Sequence, residues 1–149
     1  MVYQPHPESL DRLLIQVCRL HYARAYTLYE SLGLYRGQPP VLSALWEREG
    51  LTHTELAHRL HVTPATMTRM LRRMEKAGFV ERRPDPHDMR VSRVYLSSTG
   101  RSVQDAVDRV RRLLEEETFA GVGAEERALL ARCFARMRQN LIRAVEDLE

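Results

Sequence analysis

The stretch that most restricts what this chain can fold into runs from Leu51 to Thr99, LTHTELAHRLHVTPATMTRMLRRMEKAGFVERRPDPHDMRVSRVYLSST. It is dense in start and stop signals. Thr52-His53-Thr54-Glu55 makes a capping box: the Thr52 hydroxyl accepts from the amide three residues on, and Glu55 reaches back to the Thr52 amide. The helix it opens is short, ending near Leu60. After a turn at His61-Val62, Thr63 caps a second helix and Pro64 takes its first position, where a missing N–H costs nothing. That helix, predicted over Pro64–Ala77, carries Met67, Met70, Leu71 and Met74 on one side, and Gly78 supplies its left-handed stop. Phe79–Arg83 and Val91–Leu96 favour strands. Pro84-Asp85-Pro86-His87-Asp88 between them excludes a two-residue hairpin, so the connecting loop must project.

Helix, turn, helix and hairpin in that order make a winged helix-turn-helix. Outside it, apolar residues at three-and-four spacing predict further helices. Residues 8–32 carry Leu10, Leu13, Leu14, Val17, Cys18, Leu20, Ala25 and Leu28, with a break near Gly33. Val41–Arg48 follows Gly37-Gln38-Pro39-Pro40 and turns Leu42, Leu45 and Trp46 to a core. Ser97 or Ser98 caps a long helix bearing Val103, Val107, Val110 and Leu114, which Gly121-Val122-Gly123 interrupts. A last helix carries Leu130, Phe134, Met137, Leu141, Val145 and Leu148. A length of 149 residues suits one domain. The expected fold class is mainly α with a small β-wing: a single domain over 1–149, with a winged lobe at 34–99 and dimerisation helices at 1–33 and 100–149. A small winged lobe cannot cover the apolar sides of all the outlying helices. A homodimer packed through both chain ends can.

The charge balance narrows the function. The chain's formal net charge is only +3, yet Arg69–Arg93 alone holds eight basic residues against four acidic ones (Glu75, Glu81, Asp85, Asp88), a local +4. Positive charge gathered in one place is the footprint of a polyanion partner. Enzyme motifs are missing: there is no G-x-S-x-G, H-E-x-x-H, P-loop or Rossmann glycine pattern. Glu115-Glu116-Glu117 reads as a solvated helix face, and no cofactor is called for. His53, His58 and His61 lack a cysteine or carboxylate cluster that would complete a metal site. Cys18 and Cys133 stand far apart without a C-x-x-C, so no structural disulfide is expected. The opening MVYQPHPESLDRLL has neither the basic nor the apolar region of a signal peptide, and no apolar run nears the roughly 20 residues of a membrane span. A cytoplasmic location without membrane contact is expected.

A helix about 10–12 Å across fits a major groove about 12 Å wide, where each base pair shows its own donor and acceptor pattern. The N-terminal half of Pro64–Ala77 should face the base edges. Ala65, Thr66 and Thr68 are short enough for close approach, their methyls suited to a thymine methyl and the hydroxyls to several bases. Arg69 can pair bidentately with guanine O6 and N7 and is the expected discriminating side chain. Thr63 and Pro64 set the helix start against the duplex. Arg73, one turn on, suits the backbone, as do His53 and Thr54 at the start of the preceding helix. In the wing, Arg90 suits a narrow minor groove, with Asp88 orienting its guanidinium as a bidentate partner. Arg82, Arg83 and Arg93 should add screened attraction. A winged fold that binds protein instead of DNA is the rival reading, and the arginines of the second helix and wing argue against it.

The run from Leu56-Ala57 through Thr63–Arg69, Arg73-Met74-Glu75-Lys76-Ala77-Gly78-Phe79-Val80-Glu81-Arg82 and Asp85–Arg90 to Leu96 closely resembles the MarR family of bacterial transcriptional regulators. The order of helices fits that family over essentially the whole chain. The resemblance implies an obligate dimer on a pseudo-palindromic, double-stranded operator, usually repressing transcription. In one respect the chain departs: where relatives commonly carry an acidic residue before the arginine matching Arg73, it has Arg72, which is then available to phosphate. The resemblance further implies a small aromatic effector in a crevice between the dimer helices and the winged lobe, for which Tyr22, Tyr26, Tyr29, Tyr35 and Trp46 are the candidate lining. Val17-Cys18-Arg19-Leu20-His21-Tyr22-Ala23 also resembles the segment around the peroxide-sensing cysteine of one branch of the family. This gives the alternative of a thiol-based organic-peroxide sensor using Cys18 with Cys133 of a partner as resolving thiol. Tyr22 matches that branch; Arg19, where a phenylalanine is usual, does not.

Overall fold

A computed structural model describes residues 9–35 and 37–146. The predicted helix start at residue 8 and the apolar Leu148 lie outside them. Seven helices and three short strands follow in order: α1 (Leu10–Glu30), α2 (Gln38–Glu47), β1 (Leu51–Thr52), α3 (His53–Arg59), α4 (Pro64–Lys76), β2 (Val80–Pro84), β3 (Ser92–Leu96), α5 (Ser98–Ser102), α6 (Gln104–Thr118) and α7 (Ala124–Glu146). Packing divides the chain into two compact units, one running to Leu114 and one from Glu115.

The core of the first unit is built from the apolar sides of α2, α3 and α4 and the inner face of the sheet. Leu34, Val41, Leu42, Leu45, Leu56, Met67, Leu71, Met74, Val80, Val94 and Val107 are all fully buried. Each such side chain contributes about 1.5–3 kcal/mol by leaving water. Gly78 has φ 83°, the left-handed stop its position predicts, and the Phe79 amide bonds back to the Met74 carbonyl at 2.9 Å.

Two elements differ from expectation. The hairpin is part of a three-stranded antiparallel sheet of order β1-β3-β2, in which Leu51 pairs Val94 and Thr52 pairs Arg93. A two-residue strand carries no periodicity, so its pairing is invisible until β3 is in place. The long helix expected after Ser97 is two: Ser97 caps α5, its hydroxyl accepting from the Gly100 amide at 3.0 Å, and the chain re-enters helix at Gln104. Phe79 precedes β2 and packs in the core.

In this single chain α1 buries none of its residues, and Leu10 and Leu20 are 86% and 70% exposed. Within the second unit, α7 likewise buries none, with Phe134, Leu141 and Val145 exposed.

Candidate nucleic-acid interface

α4 has two opposed sides. Met67, Leu71 and Met74 are buried. Half a helix turn away, Arg69, Arg72, Arg73 and Lys76 recur at three-and-four spacing and are exposed. At the start of the helix the Thr63 hydroxyl accepts from the Thr66 amide (3.2 Å) and donates to Thr66 Oγ1 (2.9 Å). Arg69 Nη2 reaches the same oxygen at 3.4 Å. Thr66 is thus both a groove-facing candidate and a rest for the Arg69 guanidinium. Pro64 and Ala65 are exposed beside it and Thr68 is half-buried.

The wing's cations are held differently. Arg82 donates to Glu75 Oε2 from Nε (3.0 Å) and Nη2 (2.7 Å). Arg83 pairs with Glu81 at 3.0 Å and lies 4.7 Å over the Tyr95 ring. Arg90 donates to Asp88 from its amide (3.0 Å), Nε (3.1 Å) and Nη2 (3.4 Å), the bidentate pair expected from the sequence. Arg93 is the departure. Its Nε donates to Asp85 and its Nη1 donates to the Gly50 carbonyl at 2.8 Å, so a residue expected to add attraction is engaged inside the fold. In register, Arg83 stands opposite Arg93, a like-charge pair that would repel were each not occupied by its own acid. The four acids of Arg69–Arg93 therefore meet Arg82, Arg83, Arg90 and Arg93 one to one. Among the described residues, the four cations of that stretch outside any ion pair are Arg69, Arg72, Arg73 and Lys76. The local excess of charge resides on one face of α4.

Asp85, by sequence a loop residue and one of four local acids, proves central to the wing. It is 7% exposed, and its Oδ1 accepts from the amides of His87 (2.7 Å) and Asp88 (3.1 Å). Asp followed by Pro, with an arginine in the facing strand, is the signal that could have revealed it. The Arg93 guanidinium, with those two amides, holds its carboxyl down at about 2. A depressed carboxylate stabilises the fold fully above the unfolded value near 4 and loses that contribution as pH falls through its folded value. Carboxyl-carbon NMR titration should give Asp85 a midpoint about 2; an ordinary midpoint near 4 would contradict the arrangement.

His53 and Thr54 are exposed at the first turn of α3, with Thr54 Oγ1 and His53 Nε2 3.4 Å apart. The capping box is complete, the Thr52 amide donating to Glu55 Oε2 at 2.8 Å and the Glu55 amide to Thr52 Oγ1 at 3.1 Å. That end of α3 already holds a carboxylate, which opposes a phosphate there.

The effector candidates fall into separate groups. Tyr22 and Tyr26 are exposed on α1, Tyr26 donating to Glu30 at 3.5 Å, while Tyr29 packs against the core and burial raises its pKa. Trp46 instead donates its indole N–H to the Gly100 carbonyl at 2.9 Å and lines an open hollow with Glu49, Leu96, Arg101 and Gln104. Cys18 and Cys133 are exposed free thiols on α1 and α7. Among the described residues no group of histidine, cysteine and acidic side chains could hold a metal, and no helix is long and apolar enough to cross a membrane.

A capped short helix, a second helix with a solvent-facing basic stripe, and a β-wing define the winged helix-turn-helix class. Residues 34–92 match the MarR family. The chain is 34% identical over 142 residues to the HTH-type transcriptional regulator TtmR of Methylorubrum extorquens (strain PA1), covering 91% of this chain and 70% of that one. It is 31% identical over 109 residues to the uncharacterized HTH-type transcriptional regulator YdgJ of Bacillus subtilis (strain 168), covering 73% of this chain and 66% of that one. Its fold matches a crystal structure of a mutant MarR from E. coli complexed with operator DNA, with TM-score 0.79, 28% identity, and coverage of 86% of this chain and 92% of that one. The chain belongs to the MarR family and is a transcriptional regulator.

Proposed function

We propose that this protein binds a pseudo-palindromic DNA operator as a homodimer and represses transcription. The observation that carries the DNA reading is the stripe Arg69-Arg72-Arg73-Lys76, unpaired with any acid on the face of α4 opposite its buried side. Arg69, with Thr66 and Thr68, is assigned to base edges, Arg72 and Arg73 to phosphate, and Arg90 to the minor groove. The exposed apolar residues of α1, and separately those of α7, support the dimer, since apolar side chains left in water along a helix favour a partner surface. A cytoplasmic location goes with that role. The complexed E. coli relative supports operator DNA as the partner.

Selection from a random duplex pool should return a motif with dyad symmetry and half-sites about one helical turn apart. Binding to it should weaken steeply between two salt concentrations. Arg90→Ala should lower the magnitude of the log K against log salt slope by about one for each lost contact. An unsymmetrical pool, or no retention of DNA at low salt, would overturn the reading.

A further inference from the structure

We propose that Asp85 is the positioning residue of the wing, aiming Arg90 at the minor groove through a chain of contacts that begins at Arg93; the inference rests on the DNA-binding reading above. Arg90 has a side chain 91% exposed, on a projecting loop. Left to itself, such a side chain samples many rotamers, and binding would have to order both it and the loop. The structure shows what orders them beforehand. Arg93 is tied to the Gly50 carbonyl at 2.8 Å and lies 4.0 Å from Glu55, which fixes its guanidinium against the winged lobe. Asp85 pairs with Arg93 through one carboxylate oxygen and with the amides of His87 and Asp88 through the other. The loop is closed by the Asp85 amide on the Val91 carbonyl (2.8 Å) and the Val91 amide on the Asp88 carbonyl (2.9 Å). Asp88, its backbone thus fixed, grips the Arg90 amide and guanidinium. Apart from the 4.0 Å approach of Arg93 to Glu55, every link is a hydrogen bond, and most are charge-assisted and directional. Asp85 itself is only 7% exposed and its carboxylate is taken up by Arg93 and the two amides, which leaves it little with which to meet DNA. Its effect on binding should therefore pass through the loop it holds and so through Arg90.

A double-mutant cycle on the full chain tests this, using the selected operator at two salt concentrations. Asp85→Ala should weaken binding about tenfold, as expected for a side chain that must now be immobilised on binding, and should flatten the salt dependence as Arg90→Ala does. In the Arg90→Ala background it should have no further effect on affinity. Asp85→Asn, which keeps an acceptor for the two amides, should recover part of the loss. Should Asp85→Ala fail to fold, Arg93→Gln combined with Arg90→Ala makes the same cycle. An unchanged affinity in Asp85→Ala, or an equal loss whether or not Arg90 is present, overturns the inference. If the unaltered chain binds no operator, the DNA-binding reading fails and takes this inference with it. If it binds and Arg90→Ala weakens it while Asp85 is immaterial, only the inference fails.

Discussion

Alanine at Arg69 should cost the operator its preference at one base pair in each half-site, while leaving affinity for unrelated DNA nearly intact. A bidentate arginine–guanine contact discriminates by about 1–3 kcal/mol, so ratios between the preferred and substituted base should fall by about 5- to 150-fold. The reason for choosing Arg69 is positional. It is the member of the basic stripe nearest the N-terminal half of α4, and its Nη2 already rests on Thr66 Oγ1 at 3.4 Å, which limits the orientations it brings to a groove. Arg72→Ala gives the contrast. With no ion pair, and a turn further from the N-terminal half of α4 than Arg69, it should weaken every sequence alike, reducing the salt slope by roughly 1.8 for two phosphates per dimer. Titrating the operator and a panel of single-base variants against both proteins separates the two roles. A uniform loss in Arg69→Ala would return it to the phosphates.

Gly100→Ala should destabilise the protein more than any surface change in the stretch. A Cβ there would stand 2.1 Å from the Phe79 carbonyl oxygen and 3.2 Å from a Leu96 methyl. The carbonyl is backbone, it also accepts from the Ser97 amide at 3.0 Å, and Gly100's own carbonyl accepts from Trp46. Neither side can yield without breaking one of those bonds. An overpacked site of this kind costs about 3 kcal/mol, so the melting temperature should drop by roughly 6–12 °C. Gly78→Ala is the comparison: a Cβ there meets nothing within 4 Å, and only the positive φ of 83° resists it. That should cost about 1–2 kcal/mol. Equal losses in the two variants, measured by thermal unfolding at matched protein concentration, would show that crowding against Phe79 is not the cause.

Much of the winged lobe was legible because its signals are local. The Thr52 box, the Thr63 cap with Pro64 behind it, and Gly78 each act within a few residues, and the structure places helix ends where they predict. The Asp88–Arg90 pair was legible for the same reason, being two residues apart. What escaped depends on contacts distant in sequence. β1 exists only through its pairing with β3, and the break at Val103 has no glycine or proline to announce it. Arg93 is the instructive case in the site. By type and position it looks like another wing cation, and only the fold brings Asp85, eight residues earlier, and the Gly50 carbonyl, 43 residues earlier, to its guanidinium. Trp46 faces the core as its spacing predicts, but the partner of its N–H, 54 residues away, could be seen only in the fold.

The one-to-one pairing of acids with the wing arginines has a bearing on how the molecule first meets a duplex. Long before contact, a neutralised wing exerts little pull, whereas a single uncompensated helix face acts as a directed lever on the whole body in the field of the phosphates. On the proposed DNA-binding reading, diffusion should deliver the chain with α4 foremost, and the wing should close on the neighbouring groove only at short range. Orientation comes before grip.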